Sequence, residues 1–463
     1  MKQLSALVVA LLFALAPAVE AQTYTVVHNF GSNENDAVLP YITGTISQSR
    51  GGAMFSTAGG GEDGTLARAF RITTSGAVST LHTFHTGQKV SGGLTLATDG
   101  LYYGTANNGG TYGKGVVFKM TQDGVITPLY SFHGATDGGY PTAEPIQSVA
   151  GDLYGTTEGR TGNGSVYRIN KYGDFTLLHT FTGTADGAHP YGPLVQGTDF
   201  NFYGTTELGG THGAGTIFSI SSKGDFKVVY NFDFTHGAYP FAGLIQANDG
   251  NFYGVTAYGG SMSEGTVFRM TPSYAVNVLH SFAAGLDGGT PMGGLVQATD
   301  GNLYGSATGY GTADGGVLFR ITLSGKYTVL HDFDSHAGSS GGYTPISAML
   351  QHTNGVLYGM TLSGGVSYLG GGLGTFYSLD LGLKPFVTYL STYGRAGALV
   401  QILGQGFTAD SVVSFNGVPA SSTKVSSTYI RAFVPGGATS GPITVTTPSG
   451  TLTSNKTFIV HPQ

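Results

Sequence analysis

A repeat of about 50 residues constrains the fold of this chain more than any other feature. Its clearest mark is the tripeptide Leu-Tyr-Gly and its variants. The aromatic residue of this tripeptide lies at Phe55, Tyr103, Tyr154, Tyr203, Tyr253, Tyr304 and Tyr358. These positions are 48, 51, 49, 50, 51 and 54 residues apart. A chain with such a period is built from similar units that bury their apolar faces against one another.

Three further motifs keep the same register. A His/Tyr-x-Phe motif ends at Phe30, Phe84, Phe132, Phe181, Phe232, Phe282 and Phe333. An aromatic residue, usually followed by Arg or Lys and then Ile or Met, lies at Phe70, Phe118, Tyr167, Phe218, Phe268, Phe319 and Tyr377. Seven residues before the first aromatic lie Gln48, Gln147, Gln196, Gln246, Gln297 and Gln351, with Leu96 in the second unit. We expect this Gln to join neighbouring units, because an amide both donates and accepts hydrogen bonds; the alternative is that it lines a central channel.

Each unit predicts four short strands. In the fifth unit they are 243–247, 251–256, 265–270 and 276–282, which are rich in apolar, aromatic and β-branched residues. Asp249-Gly250 joins the first two strands, and we expect a two-residue hairpin turn in which both residues have positive φ. Four antiparallel strands in each period are typical of a propeller blade.

The order of the motifs predicts how the array closes. Tyr24–Phe30 carries the motif of a fourth strand but precedes the first complete unit, whereas the last unit lacks that strand after Tyr377. Tyr327–Phe333 has nearly the same sequence as this N-terminal segment. We therefore predict an all-β fold, a seven-bladed β-propeller closed by the N-terminal strand, which removes exposed edge strands. An open solenoid is the alternative.

Composition agrees with a chain of tight turns and stacked sheets. The sequence has 78 Gly, 27 Tyr and 27 Phe, and only 10% of its residues are charged. A disordered chain would have fewer apolar residues and a higher net charge, and collagen would have Gly at every third position. The absence of Cys excludes disulfides, thiol nucleophiles and thiolate metal sites.

The two ends of the chain differ from the repeats. Residues 1–21 combine Lys2, an apolar stretch and Val19-Glu20-Ala21, which predicts a secretory signal peptide. A membrane anchor is the alternative, although the apolar stretch is short for a span. We expect a protein that is secreted or held at the cell surface or in the periplasm, with no membrane span after cleavage.

The composition changes again near residue 384. Gly makes up 69 of the 362 residues in 22–383 but 9 of the 80 residues in 384–463, and the net charge changes from −10 to +4. Short alternating strands such as 399–403 and 443–447 lie between Gly and Pro turns in the second segment. We predict a propeller over 22–383 and a small immunoglobulin-like β-sandwich over 384–463.

Both segments resemble known families. The unit at 300–333, with Asp-Gly-Asn-Leu-Tyr-Gly, Gly-Gly-Val-Leu-Phe-Arg-Ile and Leu-His-Asp-Phe, resembles the GloVer tandem repeat of exported bacterial choice-of-anchor proteins. The resemblance covers roughly residues 24–380 and implies export, although this chain has no obvious C-terminal sorting signal. Residues 400–407, 413–418 and 447–450 resemble an IPT/TIG domain, which implies a spacer or an interaction module. Neither resemblance assigns a functional residue.

The loops on one face of the predicted propeller hold the candidate binding residues. In a four-stranded meander, the loop between the second and third strands and the connection between blades lie on the same face. Loops are where repeat proteins usually carry their binding groups. The candidate ligand-binding residues are His133, Asp137, Tyr140, His189, His212, His236 and Tyr239. The alternative is that Asp-Gly and Pro are ordinary turn residues there.

Other motifs have structural interpretations that we favour. The repeated Tyr-Gly is expected to pack against an aromatic residue of an adjacent blade rather than to stack on sugars. The His of the fourth strand is expected to have a buried ring and a solvated tip, because Tyr130 and Tyr230 replace it. The sequence 338–342 matches Gly-x-Ser-x-Gly but is followed by no helix, which a nucleophile elbow requires.

These observations predict an exported, non-enzymatic binding protein that recognises a glycan or a surface partner. The alternatives are an extracellular polysaccharide-active enzyme with carboxylates such as Glu158, Glu207, Glu264 and Asp314 at the channel mouth, and a purely structural envelope or matrix component. We predict no catalytic residue, metal ligand or cofactor. A propeller with net charge −10 also argues against a nucleic-acid partner.

Overall fold

The computed structural model describes residues 22–40, 44–59, 66–85, 88–90, 92–134, 136–160, 162–336, 339–367 and 372–461. Within these ranges the chain is all-β apart from one 3-10 turn at Gly285–Asp287. No helix in the same ranges is long and apolar enough to cross a membrane. The predicted signal peptide, residues 1–21, and Gly338 of the Gly-x-Ser-x-Gly match lie outside the described residues.

Residues 23–380 form repeated antiparallel sheets of the β-propeller type, which we number as units in chain order. Unit 1 contains β2 (Ser47–Gln48), β3 (Met54–Ala58), β4 (Arg68–Ile72) and β5 (Val78–Thr83). Unit 2 contains β6 (Thr95–Leu96), β7 (Tyr102–Ala106), β8 (Val116–Met120) and β9 (Ile126–Ser131). Unit 3 contains β10 (Ile146–Gln147), β11 (Leu153–Thr157), β12 (Ser165–Ile169) and β13 (Phe175–Thr180).

The next units repeat this order. Unit 4 contains β14 (Val195–Gln196), β15 (Phe202–Thr206), β16 (Thr216–Ile220) and β17 (Phe226–Asn231). Unit 5 contains β18 (Ile245–Gln246), β19 (Phe252–Thr256), β20 (Thr266–Met270) and β21 (Val276–Ser281). Unit 6 contains β22 (Val296–Gln297), β23 (Leu303–Ala307), β24 (Asp314–Ile321) and β25 (Tyr327–Asp334).

The last sheet joins the two ends of the repeat region. Unit 7 contains β26 (Tyr343–Pro345), β27 (Leu350–Gln351), β28 (Leu357–Ser363) and β29 (Thr375–Asp380). Its outer strand is β1 (Thr23–Asn29), which pairs antiparallel with β29 so that Val26 lies opposite Tyr377. Tyr24 also stacks on His331 of unit 6, with the ring centroids 3.8 Å apart.

Glycine within the second strand of each unit allows an aromatic ring to pack on the backbone. A Cβ at Gly254 would lie 2.7 Å from Cζ of Phe268, which is closer than any side chain tolerates. Phe268 belongs to the third strand of the same unit, so the expectation of an aromatic from an adjacent blade is wrong. The neighbouring Tyr253 is fully buried, which excludes it as a platform for sugar.

The Asp-Gly turns differ from the predicted two-residue hairpin. Gly250 has a φ of 83°, but Asp249 does not have positive φ, so the predicted conformation is wrong for the Asp. The carboxylate of Asp249 instead accepts the backbone N–H of Asn251 at 3.0 Å and the hydroxyl of Tyr253 at 2.7 Å. This Asp therefore closes the turn and satisfies the polar end of a buried Tyr.

The recurring Gln joins each unit to the one before it, which confirms the first of its two interpretations. Its Oε1 accepts the backbone N–H of the turn between the first two strands of the preceding unit, at 2.9–3.0 Å. The pairs are Gln48 with Thr353, Gln147 with Thr98, Gln196 with Val149, Gln246 with Thr198, Gln297 with Asn248 and Gln351 with Thr299. Each pair satisfies a backbone donor that would otherwise lack a protein partner.

Leu96 interrupts this series between units 1 and 2, and an arginine spans the gap. The guanidinium of Arg50 donates to the backbone oxygen of Thr98 at 2.9 Å and also to the side-chain oxygen of Gln401. The amide of Gln401 donates to the same oxygen of Thr98 at 2.6 Å. The C-terminal domain therefore contacts the propeller where the Gln series is broken.

The C-terminal domain is a small β-sandwich around its own core. Its first sheet contains β30 (Thr388–Tyr389), β32 (Leu399–Leu403), β36 (Tyr429–Phe433) and β35 (Ser422–Ser426). Its second contains β34 (Val418–Ala420), β33 (Val412–Phe415), β37 (Ile443–Thr447) and β38 (Gly450–Thr453). A parallel pair, β31 (Tyr393–Gly394) and β39 (Ile459–Val460), lies beside them. Ile402, Phe415 and Val445 are among the buried residues that both sheets contribute.

This domain lies against the turns between the first and second strands, which we call the turn face. Tyr393 donates a hydrogen bond to the backbone of Thr198 at 3.0 Å, and Thr428 donates one to the backbone of Arg50 at 2.7 Å. Phe200 has a φ of 69° at a turn position where other units have Gly. It packs on Tyr393 and His461 at centroid distances of 4.7 and 5.4 Å, and this contact offsets the backbone strain.

A cavity of about 390 Å³ separates the inner strands from this domain. The first strands of units 1, 2, 5, 6 and 7 line it on one side, and Phe386, Tyr389 and Leu403 line it on the other. The C-terminal domain therefore covers the turn-face ends of these first strands.

We predict that Gln246→Leu lowers the free energy of unfolding by about 0.5–1.5 kcal/mol, because it removes the hydrogen bond to the exposed N–H of Thr198. Urea unfolding measures the change. The matched control is Gln122→Leu at an exposed turn position, which is expected to change stability by less than about 0.5 kcal/mol. Equal effects of the two substitutions would contradict the role of the Gln.

The stability of the fold is expected to fall between about pH 6.5 and 4. Burial lowers the pKa of His331 from 6.5 to about 4. The unfolded chain binds this proton first as the pH falls, so the contribution of neutral His331 is complete above pH 6.5 and is lost toward pH 4. His331→Tyr, which matches Tyr130 and Tyr230 in other units, should reduce the loss of melting temperature between pH 7 and 4. The same substitution at exposed His212 should leave that loss unchanged.

Candidate ligand-binding face

The end of the propeller opposite the C-terminal domain carries two kinds of loop. One joins the second and third strands within a unit, and the other joins the fourth strand to the next unit. The two kinds pair with each other, as in the bridge between Ala188 and Leu208 and the bridge between Ala238 and Tyr258. We call this surface the loop face.

Asp137 acts as the internal anchor of its loop. Its carboxylate accepts the backbone N–H of His133 at 2.9 Å and of Gly134 at 2.8 Å, and the hydroxyl of Tyr130 at 2.7 Å. Burial opposes its ionisation, but these hydrogen bonds outweigh burial and lower its pKa. The residue is 4% exposed, so its carboxylate stabilises the loop from within rather than facing a ligand.

The same anchor recurs in other units with His in place of Tyr130. The pairs are His28 with Asp36 at 2.7 Å, His179 with Asp186 at 3.1 Å and His280 with Asp287 at 3.1 Å. The tips of these His rings are therefore bonded to loop carboxylates, and the expectation of a solvated tip is wrong for them. The pairing explains why Tyr can replace His, since both side chains donate to the carboxylate.

The residue before Pro in the connection between units has a left-handed backbone in six units. This pre-proline set consists of Leu39, Tyr140, His189, Tyr239, Thr290 and Thr344, with φ between 50° and 58°. Non-glycine residues seldom adopt this conformation. It persists because the backbone is bonded on both sides: in unit 3 the N–H of Tyr140 donates to Lys114 at 2.7 Å, and its oxygen accepts from Glu158 at 2.9 Å.

Three predicted site residues, Tyr140, His189 and Tyr239, are therefore at equivalent positions in consecutive units. Each is partly exposed. The six positions carry four kinds of side chain, Leu, Tyr, His and Thr, although the backbone is the same. Strained backbone of this kind is often associated with function.

Two other predicted residues, His133 and His236, each contact a carboxylate of their own loop. His133, with its side chain 48% exposed, contacts Asp137 at 3.1 Å and packs on Tyr112 at a centroid distance of 4.0 Å. His236 contacts Asp233 at 2.9 Å.

Tyr239 packs edge-on against both Tyr258 and Phe234, at centroid distances of 5.8 Å. His212 is exposed and contacts the hydroxyl of Thr211 at 3.1 Å. The structure thus brings His133 and Asp137 into contact and places Tyr239 in an aromatic cluster with Phe234 and Tyr258.

Two cations beside Tyr140 were missed by the sequence analysis. Nζ of Lys114 lies 3.0 Å from the Tyr140 hydroxyl and 5.4 Å from its ring centroid, and Cζ of Arg160 lies 5.3 Å from the same centroid. Lys114 and Arg160 come from the loops between second and third strands of units 2 and 3. An alignment of the loop positions could have placed them beside the residue before Pro.

Two of the candidate carboxylates on the loop face accept hydrogen bonds from tyrosine hydroxyls. Glu158 accepts the hydroxyl of Tyr191 at 3.0 Å, and Glu264 accepts that of Tyr310 at 2.9 Å. Burial, followed by the nearby charge of Glu158, raises the pKa of Glu207. Across the described ranges, no group of three or more His, Asp or Glu side chains is arranged to hold a metal ion.

Comparison with known proteins identifies the family. The chain belongs to the family of the Gloeobacter/Verrucomicrobia repeat, whose model matches residues 41–249 and 241–410. An IPT/TIG domain model matches residues 385–460. Both resemblances seen in the sequence are thereby confirmed. The chain matches no curated protein sequence.

Several solved structures resemble the chain weakly. A fungal alcohol oxidase of the AA5 family, in complex with copper, is 12% identical, with 95% of this chain and 99% of that chain covered and a TM-score of 0.47. A putative 6-phosphogluconolactonase from Bacteroides uniformis is 16% identical, with 66% and 88% covered and a TM-score of 0.46. At these values we draw no conclusion about activity from either structure.

We predict that Thr290→Gly leaves the free energy of unfolding unchanged or raises it by up to about 1 kcal/mol, because Gly adopts the left-handed backbone without a Cβ penalty. Urea unfolding tests this. Thr235→Gly, at an exposed loop position without positive φ, is the control and should lower stability by about 0.5–1 kcal/mol. A clear fall in the free energy of unfolding of Thr290→Gly would show that Gly does not relieve backbone strain at this position.

Proposed function

We propose that this chain is an exported, non-enzymatic binding protein that recognises a glycan or a surface partner through its loop face. Residues 1–21 act as the signal peptide, 22–383 form a seven-bladed β-propeller closed by the N-terminal strand, and 384–463 form the IPT/TIG domain. The chain-order sheets and the pairing of β1 with β29 support the closed ring. The composition of residues 1–21 supports export.

The pre-proline set carries the proposal for binding. It gives one backbone geometry to different side chains, including Tyr140, His189 and Tyr239, on the face that the C-terminal domain leaves free. A purely structural loop would be relieved of strain by Gly, which this chain uses freely elsewhere. Tyr140, His189 and Tyr239 keep large polar or aromatic side chains at these strained positions, as residues that contact a ligand would.

One observation favours the enzyme as the second candidate. Glu207 has a raised pKa because it is partly buried and near Glu158, and carboxylates in such environments serve as general acids in glycoside hydrolysis. Glu158 is held by Tyr191. In this alternative Glu207 donates the proton and Glu158 is the second carboxylate of the pair.

A glycan array with the purified chain, followed by a reducing-sugar assay on each glycan that binds, separates the candidates. We expect binding without sugar release. Tyr239→Ala should weaken binding about tenfold or more, since it removes an aromatic side chain from the loop face. The control Tyr172→Ala alters an exposed Tyr at a turn between the third and fourth strands, on the opposite side.

Three outcomes contradict the proposal in different ways. Sugar release that Glu207→Gln abolishes would establish the enzyme instead. Equal weakening by Tyr239→Ala and Tyr172→Ala would remove the loop face as the binding surface. Failure to bind any glycan or any protein of the envelope fraction would favour the purely structural component.

A further inference from the structure

The loops of units 2 and 3 form a local positive region on an acidic propeller. It consists of Lys114, Arg160, Tyr140, Tyr112 and His133, and we call it the cationic patch. The propeller as a whole carries 14 basic and 24 acidic residues, so two adjacent cations are unusual there. Both cations lie within 5.4 Å of the centroid of one ring, Tyr140.

Within the described ranges, neither cation is paired with a carboxylate. No Asp or Glu oxygen lies within 4.0 Å of the nitrogens of Lys114 or Arg160 among the residues that the structure describes. The nearby carboxylates are used elsewhere: Asp137 is buried beneath its loop, and Glu158 accepts the hydroxyl of Tyr191. Two like charges around one ring repel each other, and an anion placed between them would relieve this repulsion.

The position of the cations is fixed by the backbone of their loops. The N–H of Tyr140 donates to the backbone oxygen of Lys114 at 2.7 Å, and its own oxygen accepts the N–H of Glu158, two residues before Arg160. The left-handed residue 140 therefore determines where both side chains begin. A preorganised pair loses less conformational entropy on binding than two free side chains.

Aromatic surface continues beside the charges. Tyr112 is 52% exposed and packs against His133, and the hydrogen bonds from His133 to Asp137 hold that ring in place. Flat aromatic faces suit the apolar faces of sugar rings, and the cations suit the negative groups that such sugars carry. No other member of the pre-proline set has a cation over its ring in the described part of the chain.

We propose that the cationic patch binds an anionic polysaccharide, with Lys114 and Arg160 contacting carboxylate or sulfate groups while Tyr112 and His133 pack on the sugar rings. This inference rests on the proposed binding function of the loop face and specifies its ligand class. Carboxylated and sulfated polysaccharides share the chemistry that these cations recognise.

The test measures binding of the full chain to polygalacturonate, dextran sulfate and unmodified dextran at low and moderate salt. We expect binding to one or both anionic polymers, no binding to dextran, and weaker binding as salt rises, because screening reduces contacts between exposed charges. The double variant Lys114→Gln with Arg160→Gln should reduce affinity on the order of tenfold or more. A preference for one anionic polymer identifies the carboxylate or the sulfate as the group recognised.

Matched controls separate this inference from the broader proposal. Lys223→Gln with Lys171→Gln removes two cations from turns between third and fourth strands and should leave affinity unchanged. Equal loss in both double variants would show non-specific charge attraction and overturn the inference. Thermal melting checks that the Lys114 and Arg160 variant remains folded.

The remaining outcomes are also decisive. Binding only to neutral glycans, sensitive to Tyr239→Ala, would overturn the cationic patch but keep the loop face as a binding surface. Binding of an acidic protein in place of either polymer, lost in the Lys114 and Arg160 variant, would overturn the polysaccharide. Absence of any ligand for the loop face would overturn both proposals.

Discussion

The hydrogen bond from a side-chain amide to the turn of the preceding unit is the interaction on which the array depends. Without it, each two-residue first strand would have only its own hairpin to hold it. Gln246, for example, accepts the N–H of Thr198. In the same turn, the oxygen of Thr198 accepts the hydroxyl of Tyr393, and Phe200 packs on the ring of Tyr393. The Gln amides therefore join neighbouring units and also hold the turns that the C-terminal domain contacts.

Much of the fold could be predicted because seven units carry similar residues at corresponding positions. The Gln series, the Asp-Gly turns and the buried aromatics were visible as periodic residues, and the role of the Gln in linking units is confirmed. The conformation of Asp249 could not be read from the sequence, because Asp-Gly occurs in several turn types. The aromatic partner of Gly254 was assigned to the wrong unit, since periodicity gives the residue types but not which sheet supplies each contact.

The candidate site was less predictable than the fold. Tyr140, His189 and Tyr239 were selected because their loops map to one face of the predicted propeller, yet their shared left-handed backbone depends on hydrogen bonds from two neighbouring units. Asp137 was selected as a ligand-binding residue, but its carboxylate accepts hydrogen bonds from the backbone of its own loop. Lys114 and Arg160 are far from Tyr140 in the sequence, and only the pairing of loops brings the three together.

The position of the C-terminal domain determines from which end a solute or a polymer can approach the propeller. A tube that is open at both ends allows solutes to pass through, whereas a vessel with a floor exchanges its contents only at the rim. In this protein, Phe386, Tyr389 and Leu403 of the C-terminal domain lie over the ends of the first strands. Near the loop-face start of the first strands, the carboxylate of Glu144 accepts the N–H of Gly93 at 3.0 Å and the hydroxyl of Thr45 at 2.8 Å, which joins units 1, 2 and 3. With the turn face covered by the C-terminal domain, a long polymer on the loop face of the closed ring that we propose would lie across the molecule rather than pass through it.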